Sequence, residues 1–475
     1  MTATRLMMPL LWCLAAGLPV PALCVETASP PNIVLILIDD LGWMDLACQG
    51  NRLVETPNID RFAREGMRFT DAYASAPVCS PTRASILTGL SPARLQITNH
   101  IPDQKRFIPQ NPRLLPAPMI NHLPLEHTTI AERLKAAGYR TGFIGKWHLS
   151  EAGSVRNGGV GDGRFAPEHQ GFDVNIAGCA YGGPPSFFSP YRIHNLPDGP
   201  QGEYMPDRLA EESIQFMKES GTAGKPFMLF LWNYTVHWPM QAPEKLLKKY
   251  ATRSGPGLND TRYGAMIEAM DLAIGRVLKS IDELGLRDDT LVIFTSDNGA
   301  FGGVGDNRPL RRDKGWLYEG GIRVPLIIRW PGVTQAGREC SVPVISTDFY
   351  ATLLDAARLP LQEEQAHRAQ DGLSLVPLLR GAESLERRSL MFHYPNYAFH
   401  RSNRLGGAIR EGRWKLIENF ADDSLELYDL SQDLSERQNL ADSQSDLAQA
   451  MQQRLAAWRR ASGAAMPRPV SQTGG

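Results

Sequence analysis

Two matched pairs of oxygen-bearing side chains stand out, Asp39-Asp40 and Asp297-Asn298, each just past a run of apolar residues. A set that offers oxygen alone suits a hard divalent cation, Ca²⁺ with its six to eight oxygens or Mg²⁺ in a strict octahedron. Asp and Asn also cap helices and fill turns. Adjacent carboxylates repel, however, and their recurrence at two strand ends favours a cation between them. Basic groups follow the same pattern. Lys146 and His148 come just past a third apolar run, His237 past a fourth, and Lys314 closes the charged stretch Arg311-Arg312-Asp313-Lys314. Cys79 opens the segment Cys79-Ser80-Pro81-Thr82-Arg83. If a helix starts there, Arg83 lies one turn on and can point back at the sulfur.

The elements that would hold these groups can be read from the runs themselves. Residues 32–38, 141–145, 227–232 and 291–296 are almost continuously apolar, the pattern of strands buried on both faces in a parallel sheet flanked by helices. In an open α/β sheet, ligands sit beyond the carboxyl ends of the strands. Parallel strands would therefore gather Asp39, Asp40, Lys146, His148, His237, Asp297 and Asn298 on one edge. Helical periodicity covers 129–137 and 263–284. Gly- and Pro-rich stretches at 102–124 and 153–200 are long enough to shape a binding site. The texture changes after Gly381: 408–410, 414–417 and 425–428 read as short antiparallel strands. Leu447, Met451, Leu455 and Trp458 then share one helix face as packing residues. The expected division is a leader over 1–24, a catalytic unit over 30–380, a C-terminal α+β unit over 381–465 and a disordered tail over 466–475.

A chain of 475 residues with 43% hydrophobic and 21% charged residues can bury a large core. A net charge of −1 gives no electrostatic reason to expect nucleic acid or an acidic membrane surface as partner. Arg5, the apolar stretch 7–20 and the small residues near Ala22 read as a secretory leader, which points to a periplasmic or secreted protein. Leu23-Cys24 weakly matches a lipoprotein box, so lipid anchoring is a second option. No later segment is long and apolar enough to span a bilayer. Beyond the leader remain Cys48, Cys79, Cys179 and Cys340, with no Cys-x-x-Cys pair and no zinc spacing.

The run Cys79-Ser80-Pro81-Thr82-Arg83-Ala84-Ser85-Ile86-Leu87-Thr88-Gly89 resembles the activation signature of the type I sulfatases, arylsulfatase A-like and similar to secreted bacterial glycan sulfatases. Three further blocks resemble that family in its order: Gly138 to Leu149 with Gly145-Lys146-Trp147-His148, Asn233 to Pro239 with His237, and Asn307 to Pro325 with Lys314 and Glu319-Gly320-Gly321-Ile322-Arg323-Val324-Pro325. Ser150 and Arg312 stand where the family commonly has Gly, and Arg312 could narrow or charge the mouth of the site.

The resemblance implies an alkaline-phosphatase-like α/β fold: a large, mostly parallel sheet flanked by helices, plus a smaller C-terminal antiparallel sheet with a helix. It implies that a maturation enzyme oxidises Cys79 to formylglycine (3-oxoalanine), and that one Ca²⁺, ahead of Mg²⁺, binds Asp39, Asp40, Asp297, Asn298 and the modified Cys79. Lys146, Lys314 and Arg83 would hold sulfate. His148 would hold the aldehyde hydrate, and His237 would serve the leaving group. The implied activity is sulfuric ester hydrolysis on a sulfated carbohydrate, with a sulfated galactose or N-acetylgalactosamine unit as the expected substrate. Asn99, His100, Asp103, His393 and Tyr397 are the expected sugar contacts, since aromatic and imidazole groups suit pyranose faces and hydroxyls, and each reads equally well as a loop-packing residue. Two other readings stay open: a phosphonate or phosphate ester hydrolase sharing the signature, and a non-catalytic binder of sulfated glycans.

Overall fold

The four apolar runs are neighbouring strands. Across an eight-stranded sheet the order is Glu339–Cys340, Met67–Phe69, Leu326–Arg329, Thr290–Ser296, Asn32–Ile38, Phe227–Trp232, Arg140–Gly145 and Val174–Ile176. The four strands from Thr290–Ser296 to Arg140–Gly145 run parallel, and only Leu326–Arg329 is antiparallel to its neighbours. This computed structural model describes residues 2, 30–103, 105–360, 371–386, 389–399 and 403–470. The expected leader lies, apart from residue 2, outside the described residues.

Period-two alternation explains why the central strand is apolar throughout. Ile33, Leu35 and Leu37 enter one core, with Leu87 of helix Cys79–Thr88, Leu134 of helix Ile130–Ala136 and Leu353 of helix Asp348–Ala356. Val34, Ile36 and Ile38 enter the other, with Phe216 of helix Met205–Thr222 and Ile267 of helix Thr261–Glu283. Both faces are covered, so a polar residue on either would be buried without water. Each such side chain contributes about 1.5–3 kcal/mol by leaving water. Helix Ile130–Ala136 starts at a capping box, in which Thr129 Oγ1 accepts from Glu132 N and Glu132 Oε2 accepts from Thr129 N.

A four-stranded antiparallel sheet follows, with Leu390–Tyr394, Gly406–Glu411, Trp414–Asn419 and Leu425–Asp429 in chain order. Helix Ser445–Ser462 covers one face through Met451 and Leu455. The first of these strands has no readable alternation because only Met391 is less than fully buried. The tail departs from expectation: Arg468–Pro469 pairs antiparallel with Leu114–Leu115, and the Ala465 carbonyl accepts from His393 Nε2 at 2.9 Å. Those backbone and imidazole partners order the stretch to residue 470, which sequence texture alone could not reveal. Cys48, Cys79, Cys179 and Cys340 are all free thiols. Among the described residues no helix is long and apolar enough to cross a membrane.

Candidate active site

The parallel strands bring their terminal residues to one edge. Asp39 and Asp40 follow Asn32–Ile38, Asp297 and Asn298 follow Thr290–Ser296, Lys146 and His148 follow Arg140–Gly145, and His237 follows Phe227–Trp232. Cys79 is the first residue of a ten-residue helix and is 2% exposed. It therefore lies where the helix dipole favours negative charge. Asp40 and His148 have φ values of 60° and 61°. The left-handed region costs a non-glycine residue about 1–2 kcal/mol, and the surrounding contacts hold both residues there.

The carboxylates are tied in by cations, and one of these ties corrects an expectation. Arg83 does not point into the cavity. Its Nε and Nη2 grip Asp297 Oδ2 at 2.9 and 2.6 Å, and Nη1 donates to the Lys146 carbonyl at 2.6 Å. It is fully buried and acts by positioning Asp297, because the helix turn that brings it round aims it at the sheet. Lys146 Nζ donates to Asp39 Oδ2 at 2.6 Å and is also fully buried. Lys314 Nζ meets Asp40 Oδ1 at 2.6 Å, and Asn298 Nδ2 donates to the same oxygen at 2.8 Å.

These bonds leave three buried oxygens without a donor: Asp39 Oδ1, Asp40 Oδ2 and Asn298 Oδ1. Ligand atoms of Asp39, Cys79 and Asp297 also lie within 4.8 Å of one another. Buried acceptors without partners are costly, and oxygens of this kind are what a hard divalent cation takes as ligands. The electrostatics agree. Burial, reinforced by Asp297 and Asp40 against the pull of Lys146, pushes the Asp39 carboxyl well above its usual range. Burial would raise Asp40 too, but Lys314, His237 and Lys146 hold it below that range. The residues present fit a divalent cation: they offer buried oxygens without donors beside the Asp39, Cys79 and Asp297 ligand atoms.

The tautomer of His148 follows from its partners. Nε2 abuts the Ile101 carbonyl, which can only accept, so Nε2 carries the proton. Burial, with Lys146 next, holds the imidazole well below its ordinary pKa and so neutral. Nδ1 is therefore an acceptor, 3.4 Å from Cys79 Sγ and 3.2 Å from Ser80 Oγ. Ser80 Oγ accepts from Ile101 N at 3.0 Å and donates to the His148 carbonyl at 3.1 Å, which leaves Nδ1 to position 79. The loop 153–200 presses on both imidazoles through glycine: a Cβ on Gly182 would fall 2.8 Å from His148 Nε2, and one on Gly183 would fall 2.6 Å from His237 Nδ1. His237 Nδ1 gives its proton to the Trp238 carbonyl at 2.9 Å, and Nε2 stands 3.8 Å from Asp40 Oδ2.

Above Cys79 opens a cavity of about 390 Å³, lined among others by His100, His148, His237 and Lys314. Of the five expected sugar contacts only His100 lines it. Asn99 bonds Asp103 and the Tyr397 carbonyl, each at 2.9 Å, His393 bonds the tail, and Tyr397 OH donates to the Leu114 carbonyl at 3.1 Å. These are packing groups, and their burial explains why. Arg312 is not among the residues that line the cavity; its guanidinium lies 4.4 Å over the Trp316 ring. Sequence reading missed Ser80, Gly182, Gly183, Arg106 and Phe399. A lining loop is visible in composition, but which of its residues face inward is not.

The family model for Sulfatase matches residues 31–359, and that for N-sulphoglucosamine sulphohydrolase, C-terminal, matches 311–461. Arylsulfatase A of Homo sapiens is 35% identical over 437 residues, 86% of this chain and 77% of that one. A sulfatase of Formosa agariphila is 30% identical, covering 91% of this chain and 89% of that one. The crystal structure of Ps i-CgsB in complex with k-i-k-neocarrahexaose aligns with a TM-score of 0.77 at 26% identity, over 91% of this chain and 94% of that one.

Proposed function

The chain belongs to the sulfatase family and is a sulfuric ester hydrolase, and from that premise we propose that it removes sulfate from a sulfated carbohydrate at position 79. The observation that carries the reading is the neutral His148, which turns the lone pair of Nδ1 onto position 79 beside three unpartnered buried oxygens. Formylglycine at Cys79 would supply, as its hydrate, one hydroxyl to attack sulfur and a second whose deprotonation lets sulfate leave. Cys79 is buried at a helix start, so its oxidation by a maturation enzyme must come before this segment packs.

Asp39, Asp40, Asp297 and Asn298 would hold Ca²⁺, which supplies positive charge against the sulfate oxygens. Arg83 keeps Asp297 oriented and Lys146 keeps Asp39 oriented. Lys314 faces the cavity and neutralises the ester anion. His148 Nδ1 accepts the proton whose loss releases sulfate. Burial, with Asp40 opposing and Lys314 and Lys146 adding to it, holds His237 down to about 3 before substrate binds. A bound sulfate ester raises that value by placing an anion beside the ring. His237 then takes a proton at Nε2 and donates it to the leaving alcohol.

The sugar is proposed to be a sulfated galactose or N-acetylgalactosamine unit, and the compartment periplasmic or secreted on the strength of the leader. Free sulfate released from a panel of position-defined sulfated sugars tests the function, with a nitrophenyl phosphonate alongside and Cys79→Ala as blank. Release from one sugar names the substrate. Cleavage of the phosphonate with no sulfate released overturns the proposal. The cation has its own test. Adding Ca²⁺ at a hundredfold excess over its Kd to chelator-treated protein should stabilise the fold by about 2.7 kcal/mol. Thermal unfolding reads this without turnover, and identical curves with and without Ca²⁺ or Mg²⁺ would remove the metal from the site.

A further inference from the structure

The mouth of the cavity over Cys79 is built for more than the sulfur centre. Four rings form one aromatic cluster there. His100 lies 5.4 Å from Phe107 and 6.2 Å from Phe399, Phe107 lies 6.4 Å from Phe399, and Phe301 stacks on Phe399 at 5.1 Å and 25°. A wall of ring faces suits the apolar face of a sugar or aryl ring.

The charges along the lining are uneven. No carboxylate lines the cavity among the described residues. Farther in, each cation already has an acid: Lys146 pairs with Asp39, Arg83 with Asp297 and Lys314 with Asp40. Arg106 is different. It lines the cavity, it is exposed, its guanidinium sits 5.0 Å over the Phe107 ring, and among the described residues no carboxylate pairs with it. Stacking on an aromatic ring holds the planar fork in place and leaves its N–H edge free. That edge matches a carboxylate or a sulfate with two parallel hydrogen bonds.

We infer that Arg106, stacked on Phe107, binds a second anionic group on the alcohol half of the substrate, carried by a ring that lies against the Phe107–Phe399 wall. The substrate class is then an ester whose leaving group is itself an anion, through a carboxylate or a further sulfate. This rests on the sulfatase reading of the site.

The test compares 4-nitrophenyl sulfate, with one anion, against 3-carboxy-4-nitrophenyl sulfate, with two. Each ester is followed by nitrophenol release with wild type and with Arg106→Gln. The ratio of kcat/KM for the two-anion ester to that for the one-anion ester should fall about tenfold in the variant. The change should reside in KM, because the contact is made equally in ground and transition states. In wild type the same ratio should decline as salt rises. A ratio unchanged by the substitution, or insensitive to salt, overturns the inference while leaving the sulfatase reading standing. Wild type that releases sulfate from the sugar panel but cleaves neither aryl ester overturns the inference that an anionic ring serves as leaving group, and wild type that releases sulfate from neither overturns the sulfatase reading and the inference with it.

Discussion

Cys79→Ala should lower sulfate release by roughly ten-thousandfold or more and leave the fold intact. The two halves of this expectation have separate causes. The side chain is 2% exposed and small, and among the described residues its one hydrogen-bond partner is His148 Nδ1 at 3.4 Å. Removing one sulfur atom therefore costs about 1 kcal/mol of packing, which thermal unfolding would register as a minor shift. Chemistry, by contrast, has no ready substitute nucleophile: the other groups around position 79 are carboxylates tied to cations, an imidazole that faces this residue, and the Ser80 hydroxyl, which donates to the His148 carbonyl and accepts from Ile101 N. Cys79→Ser separates attack from release. A serine hydroxyl can attack sulfur with Nδ1 of His148 as acceptor, but it has no second hydroxyl through which to expel sulfate. The expected product is one covalently bound sulfate per chain, seen by mass spectrometry, with no turnover. Near-wild-type activity in Cys79→Ala would overturn the role given to this residue.

Lys415→Met should destabilise the protein by about 3–5 kcal/mol. Lys415 is fully buried where the small sheet meets the helix Glu319–Ile322, and its Nζ lies 2.8 Å from both Glu319 Oε1 and Glu436 Oε1. Glu319 also receives Tyr73 OH at 2.7 Å and Arg323 Nη1 at 3.1 Å, and its backbone N–H donates to Glu436 Oε2 at 2.7 Å. The cluster thus joins the C-terminal unit to the stretch just after Lys314. Without the ammonium, two buried carboxylates would face each other with no cation between them, Glu319 keeping Arg323 and Tyr73 and Glu436 keeping the Glu319 N–H. Burial already pushes Glu436 up to about 7, with Lys415 pulling it down and Glu319 pushing it up. The variant should therefore shed part of its penalty by protonating Glu436, and adding Glu319→Gln should recover part of the loss. Urea unfolding of the single and double variants measures both effects. Equal stability of Lys415→Met and wild type would mean that the cluster does not hold the C-terminal unit to the helix Glu319–Ile322.

Much of the site was legible because its residues follow directly on buried strands. The run 32–38 is apolar on every position since both of its faces meet helices, and a polar pair at its end can only be at an edge. The same holds for Asp297-Asn298, Lys146 and His237, so their convergence needed only the strands to be parallel and adjacent. The tail and the expected sugar contacts were less legible. His393 and Tyr397 look like sugar-binding groups in sequence, yet both are spent on backbone carbonyls of distant segments.

The strands, the polar residues at their ends, the helix that begins at Cys79 and the family can all be read from consecutive residues. Those features are local: period-two burial, a capping residue and a motif are all written in consecutive residues. Tertiary structure alone decided who pairs with whom. Asp40 N bonds Asp297 across 257 residues, and Arg83 reaches Asp297 across 214 instead of the cavity. Such choices depend on strand order and on distances of a few ångströms, to which buried charges are far more sensitive than hydrophobic burial is. Hydrophobic periodicity tells a residue which way to face, and only the folded chain tells a charge what it will meet.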